Sequence, residues 1–194
     1  MNKRIVIMAV GGQGNLLISR ILGEAAIRSD IGVQISEVHG MAQRGGVVET
    51  DVLLGNIKSS TVAPGEADVL LAFEPIEAMR AINKCNKYSI IISNSEPILP
   101  FSVTSNNAKY PNINELWDIA RSRVKELVTV NAAELAKKAG AAMSLNMVML
   151  GVLVKKGDLP LSEAVLKETI MARTKPSFIE INLKAFELGK LSVN

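Results

Sequence analysis

Residues 4–22 read RIVIMAVGGQGNLLISRIL and contain the first structural unit of the chain. Residues 4–10 are apolar and rich in β-branched side chains, which predicts a buried strand. A glycine cluster at 11–14 ends this strand, and Leu or Ile then recurs at helical spacing from Leu16 to Leu22. Residues 32–38 predict a second strand. The first forty residues therefore form a β-α-β unit with an expected right-handed crossover.

Further strands and helices are predicted outward from this unit. Residues 47–54 lead through Gly55-Asn56 into 57–62, which predicts a two-residue hairpin and a partly antiparallel sheet. Further strands are predicted at 67–73, 88–93 and 128–130, with a helix at 76–83. A long surface loop is predicted around Pro97, Pro100 and Pro111, including residues 102–107.

The C-terminal part of the chain is predicted to be helical. Helices are expected at 145–155, from Ser162 onward, and at 179–189, and Asn131 and Ser162 are suitable N-caps. Together these patterns predict an α/β fold, a three-layer α/β/α arrangement of the Rossmann-like type with a mixed, mainly parallel sheet. We expect a single domain in which residues 1–140 form the sheet region and residues 141–194 form a helical part packed on it.

Composition excludes several classes of function. The 194 residues carry a net charge of +3, with basic residues scattered and not clustered, which argues against nucleic-acid binding. Cys85 is the only cysteine, so the chain alone forms no internal disulfide and no Cys-ligated zinc or iron–sulfur site. No apolar run approaches the roughly 18 residues of a membrane span, and the glycines at 11–14 interrupt any signal peptide. We therefore expect a cytoplasmic protein without a membrane partner.

The glycine turn is the first candidate site. Gly11, Gly12, Gln13 and Gly14 stand at a strand-to-helix junction, where free N–H groups and the helix dipole favour a phosphate or carboxylate. Gly12 and Gly14 fit the first two positions of the dinucleotide-binding pattern G-x-G-x-x-G, and Glu37 is a possible ribose-binding acid. The third glycine position is Leu17, however, which disfavours NAD or FAD. A tight turn without a ligand is the simpler alternative.

The second candidate site is the polar, glycine-rich segment that follows the second strand. It contains His39, Met41, Gln43, Arg44, Gly45 and Gly46. Because it follows a strand of the same sheet, it is expected to lie beside the glycine turn at the carboxyl edge. Imidazole, amide and guanidinium groups suit an anion or a partner chain. They form no catalytic triad, and a structural role for the lone histidine is the main alternative.

Other polar and sulfur-containing residues are interpreted as structural. Asp51, Asp68 and Glu74 lie near strand ends without the spacing of a metal site, and Glu74-Pro75 is typical of a helix start. Methionines at 143, 147 and 149 are expected to fill a core or an interface. The sequence contains neither a P-loop nor a G-x-S-x-G nucleophile elbow.

Two motifs in order resemble a known family. GGQG at 11–14 followed by SEVHGMAQRGG at 36–46 is similar to the hallmark of the gamma domain or subunit of pyruvate and 2-oxoacid:ferredoxin oxidoreductases. GEADVLLAFEP at 65–75, NMVMLG at 146–151 and NLKAFELG at 182–189 resemble the indolepyruvate branch, where this chain is called the beta subunit. The resemblance covers nearly the whole chain.

The resemblance implies oxidative decarboxylation of a 2-oxoacid, here an arylpyruvate, to an acyl-coenzyme A with reduction of ferredoxin. It also implies that thiamine diphosphate and iron–sulfur clusters belong to a larger catalytic subunit, with coenzyme A as co-substrate of the complex. This chain would contribute no catalytic or metal-binding residue. The glycine turn and the 39–46 segment would then contact a ligand or the partner.

Alternative functions remain open at this point. The chain resembles gamma subunits that serve pyruvate or 2-oxoglutarate as well as indolepyruvate. From another class, a stand-alone dinucleotide-binding or anion-binding module remains possible. An isolated subunit is also able to form a homodimer through its exposed partner surface.

Overall fold

The computed structural model describes residues 1–40, 46–98 and 109–194. The strands are β1 (Lys3–Val10), β2 (Val33–His39), β3 (Val47–Leu54), β4 (Ala67–Ala72), β5 (Cys85–Asn94) and β6 (Glu126–Val130). The helices are α1 (Asn15–Arg28), α2 (Pro75–Arg80), α3 (Ile113–Arg123), α4 (Ala132–Ala139), α5 (Leu145–Lys156), α6 (Glu163–Arg173) and α7 (Ile179–Leu191). Short 3-10 turns occur at Ile82–Lys84, Ala142–Ser144 and Pro176–Phe178.

The described residues form a six-stranded mixed sheet in the order β2-β3-β1-β4-β5-β6. β1, β4, β5 and β6 are parallel, whereas β3 runs antiparallel to both β1 and β2. The α/β fold with a mainly parallel sheet is therefore confirmed. β1 and β2 of the predicted β-α-β unit are parallel but not adjacent, because β3 lies between them.

The predicted hairpin at 57–62 is wrong. β3 pairs along one side with β1 and along the other with β2, so no edge of β3 is left for a further strand. The 57–62 segment instead lies against the sheet, where the Val62 N–H donates to Asp51 Oδ2 at 2.8 Å and Gln34 Nε2 donates to the Ile57 carbonyl at 2.8 Å. Long-range strand pairing has overridden a local turn signal.

Helices cover both faces of the sheet. Alternate residues of β1 point in opposite directions, so Ile5 and Ile7 pack under α1, α4, α5, α6 and α7, while Val6 and Met8 pack under α2 and α3. The three-layer arrangement follows from this alternation. Helix α3 was not predicted from the sequence, although apolar residues recur at helical spacing at 113, 116, 117 and 120 and the Asn112 side chain caps the helix.

Several predicted helix starts are confirmed by side-chain caps. Asn131 Oδ1 accepts from the Glu134 N–H at 2.9 Å, and Ser162 Oγ accepts from the Val165 N–H at 3.3 Å. Glu74 caps α2 in the same way. Within the described part of the chain, every helix is too short or too polar to span a lipid bilayer.

Candidate functional site

The glycine turn is closed by the Gln13 side chain and by Gly46, the residue before β3. Gln13 Oε1 accepts from the Val10 N–H at 2.6 Å, and the Gln13 N–H donates to the Val10 carbonyl at 3.2 Å. The Gly11 N–H donates to the Gly46 carbonyl at 2.9 Å, so the turn contacts the end of the second candidate segment. The amide oxygen of Gln13 is therefore used within the turn, whereas its amide nitrogen has no acceptor among residues 1–40, 46–98 and 109–194.

Helix α1 begins directly at this turn. Gly14 adopts φ +83°, a left-handed conformation that favours glycine, and in the described part of the chain no side chain caps the first-turn N–H groups. The first turn of α1 also contains no acidic residue that would neutralise the positive end of the helix dipole. This N-terminus is able to stabilise an anion.

A cavity of about 540 Å³ opens beside the turn. Its walls are Gly12, Gln13, Gly14 and Leu17 of the turn and α1, Ile98, residues 142–146 before and within α5, Arg173, Thr174, Lys175 and Phe178 between α6 and α7, and Asn182 of α7. Leu17 contributes an apolar side chain to the wall. A dinucleotide-binding turn would carry its third glycine at this position. The volume is in the range of small-molecule sites.

The charges around the cavity favour an anion. Arg173 and Lys175 line it, and none of the described lining residues is Asp or Glu. The start of α5 also lies in the wall, but the Leu145 N–H donates to the Ala142 carbonyl and the Met147 N–H donates to Asn146 Oδ1, so these two N–H groups are already used. The N-terminus of α1 and two cations therefore converge on one cavity, an arrangement suited to phosphate or carboxylate groups.

A buried hydrogen-bond chain fixes the far wall. Ser144 Oγ donates to Asn182 Oδ1 at 2.7 Å, and Asn182 Nδ2 donates to Thr174 Oγ1 at 3.1 Å. This chain ties the start of α5 to the segment between α6 and α7 through one residue of α7. Both segments that supply the polar groups of the cavity are consequently held in place.

Asn146 connects α5 to the glycine turn. It is buried, its Oδ1 accepts from the Met147 N–H at 2.9 Å, and it lines the cavity. A Cβ placed on Gly14 would lie only 2.5 Å from Asn146 Nδ2. Glycine at position 14 is thus required both by its backbone conformation and by the close approach of this amide.

The described residues of the second candidate segment, His39, Gly40 and Gly46, do not line the cavity. His39 is exposed, its Nε2 lies 3.6 Å from Glu37 Oε2, and Glu37 Oε1 accepts from Ser19 Oγ at 3.3 Å. Glu37 is thus occupied by His39 and α1. Gly46 contacts Gly11 as described above, and Met41, Gln43, Arg44 and Gly45 lie outside the described residues. Ligand or partner roles for these residues stay predictions.

Sequence reasoning missed the C-terminal side of the cavity. Asn146, Arg173, Lys175 and Asn182 were assigned no site role, although Asn in an otherwise apolar helix is a usable signal for a polar function. Of the three methionines, Met147 and Met149 are buried as expected, whereas Met143 is 84% exposed and lines the cavity.

The carboxylates interpreted as structural do have structural partners. Asp68 Oδ2 accepts from the Arg4 N–H at 2.7 Å, Asp51 holds Val62, and Glu74 caps α2 and accepts a hydrogen bond from the Tyr110 hydroxyl. Burial raises the pKa of the Asp51 carboxyl. Across 1–40, 46–98 and 109–194, no three His, Cys, Asp or Glu side chains are grouped to hold a metal ion.

The chain is similar to known proteins over nearly its whole length. The profile of the pyruvate ferredoxin/flavodoxin oxidoreductase family matches residues 4–191. The indolepyruvate oxidoreductase subunit IorB of Methanothermobacter thermautotrophicus is 42% identical over 189 residues, which cover 97% of this chain and 96% of that protein.

Two solved structures share the fold. The gamma subunit of the keto/oxoacid ferredoxin oxidoreductase of Geobacter sulfurreducens aligns with a TM-score of 0.72 and 22% identity over 98% of this chain and 99% of that chain. The 2-oxoglutarate:ferredoxin oxidoreductase of Magnetococcus marinus, solved with 2-oxoglutarate, coenzyme A and succinyl-CoA bound, aligns with a TM-score of 0.73 and 20% identity. It matches all of this chain but only 32% of that longer chain. On the profile and sequence matches, this chain belongs to the pyruvate ferredoxin/flavodoxin oxidoreductase family.

Proposed function

We propose that this chain is the small subunit of an indolepyruvate-type 2-oxoacid:ferredoxin oxidoreductase, which converts an arylpyruvate to an acyl-coenzyme A and reduces ferredoxin. The observation that carries the proposal is the 42% identity to an IorB subunit with nearly full coverage of both chains. A gamma subunit for pyruvate or 2-oxoglutarate is the alternative within the family. It is less favoured because the 2-oxoglutarate synthase subunit KorC of Methanothermobacter marburgensis is only 25% identical.

The electron-transfer chemistry is assigned to a larger partner subunit. An iron–sulfur cluster is held by several cysteine thiolates, and this chain has only Cys85. Burial raises the pKa of the Cys85 thiol to about 11, so it is a poor thiolate at neutral pH. The sequence also has no thiamine diphosphate motif of the G-D-G type. The chain does not fit these groups, and we assign both to the partner.

For the cavity we propose a role in binding an anionic co-substrate, with coenzyme A as the candidate. Coenzyme A carries several phosphate groups, which match the N-terminus of α1 and the cations Arg173 and Lys175. The apolar side chains of the wall, including Leu17 and Leu145, would contact its uncharged parts.

The cavity mouth is the proposed docking edge for the larger subunit. Met143, Ile98 and Phe178 line the cavity and are 84%, 42% and 39% exposed. Grouped exposed apolar side chains mark interaction surfaces. The Magnetococcus marinus protein carries the same fold as one part of a larger polypeptide, which supports association with a larger partner. The glycine turn and the 39–46 segment would lie along the same edge.

The isolated chain is expected to reduce neither ferredoxin nor methyl viologen when supplied with 2-oxoacid, coenzyme A and thiamine diphosphate. The complex purified with its larger subunit should reduce both, with a higher kcat/KM for indolepyruvate than for pyruvate or 2-oxoglutarate. The measurement is anaerobic dye reduction with each 2-oxoacid in turn. Reduction by the chain alone would refute the division of labour, and a preference for pyruvate or 2-oxoglutarate would reassign the substrate.

Arg44→Ala is expected to lower turnover of the reconstituted complex about fivefold, because a guanidinium at the partner edge would lose its hydrogen-bonded anion. Arg123→Ala, which changes an exposed arginine at the end of α3, is the matched control and should leave turnover unchanged. Turnover and size-exclusion profiles of both complexes give the comparison. Wild-type turnover and assembly for Arg44→Ala would remove this residue from the proposed edge.

A further inference from the structure

Glu24 lies outside the cavity but binds one of its walls. It belongs to α1, its side chain is only 18% exposed, and its two oxygens take different partners. Oε1 accepts from Arg28 Nη2 at 2.6 Å and from Arg28 Nε at 3.0 Å. Oε2 accepts from Nε of Arg173, the last residue of α6. The carboxylate therefore joins α1 to the end of α6.

Arg173 is the cation of the cavity with a defined anchor. It lines the cavity although its side chain is 51% exposed, and its Nε is occupied by Glu24. Among the described residues, no acceptor contacts its two terminal amino groups. These two groups are thus left for a ligand, in the planar geometry that pairs with a phosphate or carboxylate.

Without an anchor, a half-exposed arginine would populate many rotamers. Ordering such a side chain at the moment of binding costs affinity, whereas a side chain held in advance avoids that cost. Glu24 is well suited to hold Arg173, because two N–H groups of Arg28 donate to its Oε1 and fix the carboxylate within α1. The hydrogen bonds from Arg28 and Arg173 also lower the pKa of Glu24, so the carboxylate stays charged at neutral pH.

We infer that Glu24 is a positioning residue, which holds the Arg173 guanidinium at the cavity wall so that its terminal amino groups bind a phosphate of the co-substrate. The inference rests on the proposed function of the cavity. In this role Glu24 itself would touch no ligand. Lys175, the other cation of the cavity, has no comparable anchor among the described residues.

The test compares coenzyme A with pantetheine, a thiol acceptor without phosphate groups, in the reconstituted complex. The readout is the ratio of kcat/KM for the two thiols. Glu24→Gln and Arg173→Gln should each lower the preference for coenzyme A about fivefold, because each weakens the contact with a phosphate. Arg121→Gln changes an exposed helical arginine that pairs with Asp118 and does not line the cavity, so this matched control should keep the wild-type preference.

This readout distinguishes positioning from a structural role, since general damage to the fold would lower kcat/KM for both thiols and leave their ratio unchanged. A wild-type ratio for Glu24→Gln would overturn the inference, whether or not Arg173→Gln changes it. An equal loss of preference in Arg121→Gln would also overturn it, because the effect would then not be specific to the contact between Glu24 and Arg173. A wild-type complex that reduces ferredoxin without using coenzyme A would overturn the proposed cavity function together with the inference.

Discussion

Gly151→Ala is expected to destabilise the purified chain by about 3 kcal/mol, at the upper end of the range for overpacking a core. Gly151 of α5 faces α7, and a Cβ there would lie 2.1 Å from the Phe186 carbonyl oxygen and 3.0 Å from the Lys190 nitrogen. Both are backbone atoms of a helix, so the clash is relieved only if the two helices move apart. That movement would open the core in which Phe186 and Val148 are fully buried.

The same crossing provides an independent check. A Cβ on Gly189 of α7 would lie 2.1 Å from the Val148 carbonyl oxygen, so Gly189→Ala should destabilise the chain by a similar amount. Gly23→Ala is the matched control in α1, because its Cβ would meet only Ile35 Cδ1 at 2.8 Å, the end of a flexible and exposed side chain. Alanine stabilises a helix relative to glycine by up to about 1 kcal/mol, so this variant should be neutral or more stable.

Urea unfolding of the three variants measures these differences directly. A result in which Gly151→Ala and Gly23→Ala unfold at the same urea concentration would show that α5 and α7 do not cross as closely as the structure places them. Because the cavity wall includes the start of α5 and Asn182 of α7, separation of these helices should also deform the proposed site.

Gly14→Ala is expected to raise the KM of the reconstituted complex for coenzyme A at least tenfold, which corresponds to about 1.4 kcal/mol. The substitution has two effects on the turn. Alanine is disfavoured at φ +83°, and its Cβ would lie 2.5 Å from Asn146 Nδ2. Displacement of Asn146 and of the first turn of α1 would disturb the N-terminus of α1 and the residues at the start of α5 that line the cavity.

Gly65→Ala separates the two effects. Gly65 has φ +78°, so it carries the same backbone strain, but a Cβ there would meet no atom within 4 Å. Both variants should lose similar stability from strain, whereas only Gly14→Ala should change the KM for coenzyme A. Steady-state kinetics and thermal melting of both complexes give the comparison. An unchanged KM for Gly14→Ala would show that the glycine turn does not contribute to binding.

Much of the fold was predictable because its signals are local. The apolar strand before Gly11, the helical spacing after it and the caps at Asn131 and Ser162 depend on side chains within a few positions of one another. Helix α3 carries local signals of the same kind, the cap Asn112 and apolar residues at helical spacing, but it was missed beside the proline-containing segment that was predicted as a loop. The predicted 57–62 strand shows the opposite error, in which a good turn signal at Gly55 was overruled by pairing elsewhere.

The sequence by itself determined that the chain is an α/β protein with a glycine turn after its first strand, and that it has a single cysteine. Tertiary structure alone decided that β3 lies between β1 and β2, and that Asn146, Arg173 and Asn182 meet Gly14 around one cavity. The physical reason is how far apart in the sequence the interacting residues lie. Turns and caps are fixed by neighbours along the chain, whereas a cavity is formed by the packing of surfaces that only the folded core brings together.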